Sequence, residues 1–334
     1  MLEQDSSKII VTENSISKND TLRILFIGDS FTLPGVYEKY FKDIYISSTA
    51  SPIKLVGSNS NTLYPYWGVD NEIYHEGYSG RSWEWFANYL ESPFVFDAVG
   101  ALDFDRYFSE TLHGEKPDLV VLFMGICNMG LTDPYPIEVI DNLISSFFTT
   151  TKMLKLINSL TIKLPDAKLG VVLIPPPNER EYTHTDPDYW ERKIMYHRLD
   201  QRYEDFFKNY NQNISVIPVS SNIDTFSSFG ETDGVHPNPA GYMQIAHSIY
   251  GWVKYQISQM MTEPKNITIS YSSSSANLSW GASSGAFLYN IYRSTEPYYG
   301  FVKIGTTTFT EFTDSGIDNS EKYFYKVTAD NSLK

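Results

Sequence analysis

The sequence predicts a chain in two parts: a three-layer α/β/α domain around a five-stranded parallel sheet, and a smaller all-β sandwich. Three observations support this. From Thr21 to Ile257, short apolar runs alternate with longer segments of helical periodicity. After Gln259 the spacing changes to the period of two that is typical of strands. The length of 334 residues exceeds that of one typical domain.

Five strands are predicted in the first part. Each is apolar along its length, as expected for strands of a parallel sheet that helices cover on both faces. They are Arg23–Ile27, Ile53–Val56, Leu119–Met124, Leu169–Ile174 and Ser215–Val219. The alternation of these strands with helices predicts parallel crossover connections.

Three amphipathic helices are predicted from apolar residues that recur on one face. The predicted faces are Val36, Tyr37, Tyr40, Phe41 and Ile44; Val139, Ile140, Leu143, Ile144, Phe147 and Phe148; and Tyr242, Ile245, Ala246, Ile249, Trp252 and Val253. Asn238 and Pro239 are suited to the N-cap and the first position of the third helix.

The chain is therefore divided into an N-terminal arm at residues 1–20, an α/β domain at residues 21–259 and a β-sandwich at residues 264–334. Successive strands are predicted at "ANLSW", "FLYNIYRS", "FVKIGTT", "TEFTD" and "KYFYKVTA". This run resembles an immunoglobulin-like module of the fibronectin type III class, which implies seven strands where five or six are visible. The final edge strand is expected beyond Lys334, or else "KIIVTEN" at Lys8 to Asn14 takes its place.

Composition excludes several classes of function. The 26 basic and 40 acidic residues give a net charge of −14, so a nucleic-acid partner is not expected. No apolar run approaches the ~20 residues that cross a bilayer. Cys127 is the single cysteine, so an internal disulfide or a cysteine-rich metal site is excluded. No HExxH or GxGxxG pattern stands in a suitable context, so we predict no metal and no cofactor.

Two separated stretches carry candidate catalytic residues. In "RILFIGDSFTLPG", Ser30 falls at the carboxyl end of the first strand and just before a helix, where ligands of parallel sheets bind and negative charge is favoured. In "TDGVHPNPAGY", Asp233 and His236 lie three residues apart in a loop that feeds the last helix. A hydroxyl nucleophile needs a base, and the base needs an orienting carboxylate. The sequence therefore predicts that these residues meet at one sheet edge.

Four stretches resemble the signature blocks of the SGNH branch of GDSL hydrolases. "FIGDSFT" and "DGVHPNPAGY" resemble the first and last blocks, "HEGYSGRSW" the second and "KPDLVVLFMGICNMG" the third. The Gly-Arg-Ser at 80–82 is similar to the form in rhamnogalacturonan acetylesterase-like members. The resemblance covers roughly Thr21 to Ile257 and implies a flavodoxin-like fold.

The resemblance also implies the role of each residue. Ser30 would be the nucleophile, His236 the general base and then acid, and Asp233 the residue that orients the imidazole. The oxyanion hole would consist of the backbone N–H groups of Ser30 and Gly80 and an asparagine side chain. Hydrolysis would proceed through an acyl-serine intermediate.

The third block departs from the family pattern Gly-x-Asn-Asp. The chain has Gly125-Ile126-Cys127-Asn128, so an ungapped alignment puts Cys127 at the asparagine. A one-residue bulge would bring Asn128 to the hole, and we assign Asn128 to it because a thiol is a weak donor.

The expected substrate is an acyl ester on a carbohydrate. Trp67, Trp83 and Tyr78 are candidates for contact with sugar rings, and Arg81 for contact with a uronate or a hydroxyl. Modules of the fibronectin type III class are common in exported polysaccharide-active enzymes. This resemblance favours a secreted protein, and because the polar N-terminus shows no export signal, we expect that the signal was removed.

Two alternatives remain open. One is a short-chain lipase, lysophospholipase or thioesterase of the same fold. The other is a catalytically impaired carbohydrate-binding or adhesion protein, suggested by the altered third block and the β-module. The oligomeric state is not predicted.

Overall fold

The computed structural model describes residues 21–48, 52–60, 72–97, 99–130, 136–178, 187–230, 234–260, 263–272, 274–283, 286, 288–318 and 321–330. Contacts divide them into two compact units, one built from residues 22–45 and 53–252 and the other mainly from residues 253–330. By this measure the division falls inside the last helix of the α/β part. The predicted boundary between residues 259 and 264 stays a prediction.

The larger unit contains a sheet of seven strands. They are β1 Leu22–Gly28, β2 Ile53–Val56, β3 Asn59–Ser60, β4 Tyr74–Gly77, β5 Leu119–Phe123, β6 Lys168–Val172 and β7 Ile214–Ile217. The strand order is β3-β4-β1-β5-β6-β7, and β2 also pairs with β1. All five predicted strands are present, in the flavodoxin-like order β2-β1-β5-β6-β7 and parallel to one another. The predicted fold class is confirmed.

One edge of β1 is shared by two strands, which the sequence did not predict. The strand β2 pairs with the first half of β1, from Leu22 to Leu25, whereas β4 pairs with Ile27 and Gly28 at its carboxyl end. The short strand β3 then pairs antiparallel with β4, so the sheet is mixed at this edge. Consequently β4, like β1, ends where the candidate nucleophile lies.

Eight helices are described: α1 Val36–Ser48, α2 Trp83–Asn88, α3 Phe104–Arg106, α4 Ile126–Met129, α5 Ile137–Phe147, α6 Met153–Lys163, α7 Pro187–Phe207 and α8 Pro239–Met260. A π-helical turn, Tyr107–Thr111, continues α3. In the described part of the chain, no helix is long and apolar enough to cross a membrane.

Helices α1 and α8 cover the same face of the sheet. Phe26, Val121 and Gly170 are in register on adjacent parallel strands, so they point to one face. The ring centroid of Tyr37 on α1 lies 5.7 Å from that of Phe26. A Cβ on Gly170 would lie 2.9 Å from the Trp252 ring of α8, so the missing side chain lets α8 approach the sheet closely.

The predicted buried face is confirmed for α8 and differs for α1. All six predicted residues of α8 are buried. On α1, Glu38 and Tyr45 are fully buried, whereas the predicted Tyr40 and Ile44 are only half-buried. A hydrophobicity pattern does not predict a buried glutamate, so the covered face of α1 includes a residue that the sequence reasoning left out.

The smaller unit contains two three-stranded sheets. The strands are β8 Lys265–Tyr271, β9 Ala276–Gly281, β10 Leu288–Ser294, β11 Val302–Thr307, β12 Glu311–Asp314 and β13 Phe324–Asp330. The sheets have the orders β12-β9-β8 and β11-β10-β13, with antiparallel pairing throughout. Residues of both sheets, among them Leu278, Trp280, Tyr289 and Ile291, form one core. These features confirm the predicted fibronectin type III-like sandwich; the stretch Lys8 to Asn14 lies outside the described residues.

Candidate active site

Ser30 lies half-buried in a tight turn between β1 and α1. The backbone carbonyl of Asp29 accepts the N–H groups of Thr32 and Leu33 at 3.1 and 3.0 Å, and the Asp29 Oδ1 accepts the Phe31 N–H at 3.1 Å. These bonds close the turn around Ser30. The predicted strand-to-helix position of the serine is confirmed.

His236 is held by a loop that returns to the same sheet edge. The Asn178 N–H donates to the Gly234 carbonyl at 3.1 Å, and the Asn238 N–H donates to the Ser228 carbonyl at 2.8 Å. Asn238 Oδ1 also accepts the Gly241 N–H at 3.1 Å, which makes it the N-cap of α8 as predicted. The imidazole therefore stands on a rigid support at the start of a long helix.

The structure brings Ser30 and His236 together although 206 residues separate them. The distance from His236 Nε2 to Ser30 Oγ is 2.8 Å, within hydrogen-bond and proton-transfer range. The Phe31 ring, which is 1 % exposed, packs between the rings of Phe123 and His236 at centroid distances of 4.9 and 5.6 Å. This packing limits rotation of the imidazole. Asp233 lies outside the described residues.

Gly80 lies in an exposed loop that follows β4. The loop is tied to the serine turn at its base: the Tyr78 N–H donates to the Gly28 carbonyl at 2.9 Å. Gly77 packs so closely on the same turn that a Cβ there would lie 2.6 Å from the Leu33 nitrogen. Gly80 itself has a φ of +72° with no atom within 4 Å of a Cβ position, so conformation rather than space requires a glycine.

The third block forms the short helix α4 directly after β5. The Asn128 N–H donates to the carbonyl of Gly125, the N-cap of this helix, at 3.0 Å, which closes a turn over Ile126 and Cys127. Asn128 Oδ1 accepts the backbone N–H of Trp83 at 3.1 Å. The Cys127 thiol lies 3.7 Å from Asp29 Oδ2, and the Gly80 N–H lies close enough to the sulfur to lower the pKa of the thiol. Cys127 thus lies between the serine turn and the Gly80 loop.

Two titratable groups under the site are shifted. Complete burial raises the pKa of Asp29 from 3.8 to about 7, although the Phe31 N–H and the Cys127 thiol bond its carboxylate and lower the pKa. Burial, and then the neighbouring Asp29 charge, raise the pKa of the Cys127 thiol well above its usual range. A thiol with a raised pKa is a poor nucleophile, which fits a packing role for Cys127.

A buried tyrosine joins the second and third blocks. The Trp83 Nε1–H donates to Tyr203 Oη at 2.8 Å, and Tyr203 Oη donates to the Met124 carbonyl at 2.9 Å. All three residues are fully buried. Gly125, with a φ of +133°, leaves the space that the Tyr203 hydroxyl fills. The position of the third block therefore depends on α7.

The residues that were predicted to contact substrate differ in their exposure and in their bonding partners. Trp83 is fully buried, so its ring has no face free for a sugar; this corrects the expectation from sequence, because a distant tyrosine binds its indole N–H. Tyr78 donates its hydroxyl to the buried Glu76 at 3.1 Å. Arg81 is exposed, and its guanidinium lies 4.8 Å from the Trp85 ring centroid. Trp67 lies outside the described residues.

The sequence reasoning did not single out Tyr203, and it noted Glu76 only as a residue near Gly77 at the cleft. Glu76 is a buried carboxylate that accepts four hydrogen bonds, and Tyr203 connects three elements. For Glu76, the available signal in the sequence was a glutamate directly before Gly77. Within the described residues, no group of three or more His, Cys, Asp or Glu side chains could hold a metal ion.

The comparison with a family model agrees with this architecture, and several solved structures are similar to the chain. The model of the GDSL-like lipase/acylhydrolase family matches residues 24–249. A carbohydrate esterase family 3 structure from Talaromyces cellulolyticus is 20 % identical, with a TM-score of 0.48, and the match covers 71 % of this chain and 99 % of that chain. A Clostridium thermocellum family 3 carbohydrate esterase is 20 % identical, with a TM-score of 0.45 and coverages of 72 % and 97 %.

A further solved structure is similar over a shorter stretch. It is an Fn3-like protein from Clostridium thermocellum, 36 % identical, with a TM-score of 0.20 and coverage of 21 % of this chain and 76 % of that chain. None of the curated proteins matches the chain.

Proposed function

Because the chain belongs to the GDSL-like lipase/acylhydrolase family, we propose that it is a secreted serine esterase that removes acetyl or other short acyl groups from a carbohydrate. The family match supports hydrolysis of acyl esters. One observation carries the proposed mechanism: His236 Nε2 lies 2.8 Å from Ser30 Oγ. In this proposal Ser30 is the nucleophile, His236 the general base and Asp233 the residue that orients the imidazole.

The chemistry follows from this pair. Ser30 Oγ attacks the ester carbonyl carbon while His236 Nε2 takes the hydroxyl proton. The imidazolium then gives this proton to the leaving alkoxide, and an acyl-serine remains. Water, deprotonated by the same nitrogen, attacks the acyl carbon and releases the carboxylic acid and free Ser30. General acid–base catalysis of this kind typically contributes about 10²–10⁴ in rate.

The oxyanion would be bound by the N–H groups of Ser30 and Gly80. The positive φ of Gly80 and the open space around it suit a backbone group that a substrate must reach. Each such donor is typically worth about 3 kcal/mol of the barrier.

The third donor has two candidates. Asn128 is the proposal from sequence, and the bond of its Oδ1 to the Trp83 N–H leaves its Nδ2 as the donor. The uninterrupted α4 and the contacts of Cys127 with Asp29 and Gly80 support the alternative that Cys127 stands at this place. Asn128→Asp keeps the acceptor for Trp83 and removes the donor. It also places a negative charge near the oxyanion, so the neutral Asn128→Ala decides: kcat should fall about 10²–10³-fold if Asn128 donates, and a fall of less than about tenfold would contradict this assignment.

The principal test is hydrolysis of p-nitrophenyl acetate by the wild type and Ser30→Ala. We expect turnover that disappears in the variant, together with labelling of Ser30 by a phosphonate inhibitor. Wild-type binding to glycans without turnover or labelling would overturn the proposal and favour an impaired carbohydrate-binding protein. His236→Ala serves as a second variant, since it removes the base while keeping the serine.

The substrate class needs a separate comparison. Release of acetate from acetylated xylan or pectin is expected to exceed cleavage of octanoyl esters. The reverse order would favour a lipase or thioesterase. Arg81, held over Trp85 next to Gly80, is proposed to contact the alcohol part of the substrate, so Arg81→Ala should raise KM more than it lowers kcat.

A further inference from the structure

Glu76 has an unusual environment for a carboxylate. It is fully buried on β4, and its two oxygens accept four hydrogen bonds. Oε1 accepts the Ser58 N–H and the Tyr107 hydroxyl, both at 2.6 Å. Oε2 accepts the Ser58 hydroxyl at 2.8 Å and the Tyr78 hydroxyl at 3.1 Å. In the described part of the chain it forms no ion pair, so hydrogen-bond donors alone compensate its burial.

The four donors come from three separate segments. Ser58 lies in the turn between β2 and β3, Tyr107 in the π-helical turn after α3, and Tyr78 at the start of the loop that contains Gly80. Glu76 therefore joins two segments remote from the serine to the loop that leads to the proposed oxyanion hole. Burial raises the pKa of this carboxyl, and its four donors partly offset the rise.

Tyr78 is the member of this network that acts on the site. Its backbone N–H bonds the Gly28 carbonyl at 2.9 Å, and its ring packs on Trp85 at a centroid distance of 5.2 Å. At the other end of the loop, the Ser82 hydroxyl caps α2 by accepting the Trp85 N–H at 3.3 Å. Between these two fixed points only Ser79, Gly80 and Arg81 remain. Ser79 and Gly80 are exposed, so, apart from the Cys127 sulfur near the Gly80 N–H, the direction of this N–H depends on how firmly the ends are held.

We propose that Glu76 is a positioning residue that holds Tyr78, and through it the Gly80 N–H, in the orientation that binds the oxyanion. The inference rests on the proposed esterase function. Glu76 touches no reacting atom in this account; it acts by fixing the loop. Because a small misplacement of a catalytic donor costs up to about 100-fold in rate, a loosened loop should affect kcat.

The two tyrosines give a matched pair of variants for the test. Tyr78→Phe and Tyr107→Phe each remove one hydroxyl donor from Glu76, but only Tyr78 belongs to the Gly80 loop. Tyr107 makes the shorter bond to Glu76 and is fully buried. If Glu76 has a purely structural role, Tyr107→Phe should therefore lower kcat at least as much as Tyr78→Phe. Positioning predicts that Tyr78→Phe lowers kcat for p-nitrophenyl acetate about 10- to 100-fold with little change in KM, while Tyr107→Phe keeps kcat within about twofold.

A second measurement does not depend on turnover. Hydrogen exchange of peptides spanning residues 77–82 should accelerate in Tyr78→Phe and stay at the wild-type rate in Tyr107→Phe. Equal effects of the two variants on exchange, or on kcat, would overturn the positioning role. Absence of wild-type esterase activity would refute the proposed function separately, since the exchange comparison still decides whether Glu76 fixes the loop.

Direct substitution of Glu76 completes the test. Glu76→Gln keeps one acceptor oxygen, and the hydroxyls of Ser58 and Tyr78 can rotate to accept from its amide. It should therefore retain kcat within about tenfold. Glu76→Ala removes every acceptor and should lose at least as much activity as Tyr78→Phe. A Glu76→Gln variant as impaired as Glu76→Ala, when both are folded by circular dichroism, would contradict the proposal.

Discussion

Removal of the Tyr203 hydroxyl should destabilise the larger unit. This hydroxyl accepts from Trp83 Nε1 at 2.8 Å and donates to the Met124 carbonyl at 2.9 Å, and all three residues are fully buried. Each bond is worth about 1 kcal/mol net, and a buried group left without a partner costs about 1–3 kcal/mol. Tyr203→Phe strands a donor and an acceptor that water cannot reach. We expect a loss of about 2–4 kcal/mol in the free energy of unfolding.

The assay is urea unfolding followed by circular dichroism at 222 nm, which reports mainly on the helices. Tyr210→Phe is the matched control, because its hydroxyl bonds Asn158 Oδ1 at 2.6 Å at an exposed position where water can replace it. The control should change the unfolding free energy by about 1 kcal/mol or less. If Tyr203→Phe lowers the free energy of unfolding by no more than Tyr210→Phe does, the buried hydroxyl of Tyr203 does not stabilise the contact of Trp83 with the Met124 carbonyl, and the reasoning is refuted.

Three further predictions concern groups around the serine turn. The Cys127 thiol should react with iodoacetamide at pH 8 about tenfold or more slowly in the folded than in the urea-unfolded protein, because its pKa is raised; equal rates would contradict this. Since burial raises the pKa of Asp29 from 3.8 to about 7, folding takes up a proton at this carboxyl between these values, and the contribution of Asp29 to wild-type stability falls as the pH rises from about 4 to 7. Asp29→Asn should remove about 1.4 kcal/mol per pH unit of that slope in urea titrations at pH 5 and 6, and unchanged slopes would refute the assignment. Gly77→Ala should destabilise by about 2–4 kcal/mol because its Cβ meets the backbone of the serine turn, whereas Gly80→Ala should cost only about 1 kcal/mol of conformational energy; thermal melts that reverse this order would contradict the packing.

The parts of the fold that the sequence predicted are those with strong local signals. Strands buried on both faces appear as continuous apolar runs, and all five were located to within two residues. The start of α8 was predicted because Asn238 and Pro239 each have a local reason to stand there. The meeting of Ser30 and His236 was predicted because parallel strands present their carboxyl ends at one edge.

The parts that the sequence did not predict depend on distant partners. The strand β4 has the sequence "YHEG", and its buried glutamate is compensated by hydrogen-bond donors from three segments, two of them distant in sequence. Trp83 was expected to contact substrate, yet a tyrosine 120 residues away binds its indole nitrogen and buries it. For both Glu76 and Trp83, the burial of the side chain depends on hydrogen bonds to residues distant in sequence, which a local pattern of polar or aromatic residues does not show.

The shared edge of β1 has a consequence for variation among related chains. Because β2 pairs with the first half of β1 and β4 with its end, the chain pairs with this edge of β1 up to Val56 and again from Glu76, with the short β3 between them in sequence. The register of β1 against β5 is set on the opposite edge and is independent of what lies between these two points. The residues that join β3 to β4 can therefore be exchanged for a longer, shorter or differently charged connection without changing the register of β1, provided that Ser58 keeps its bonds to Glu76.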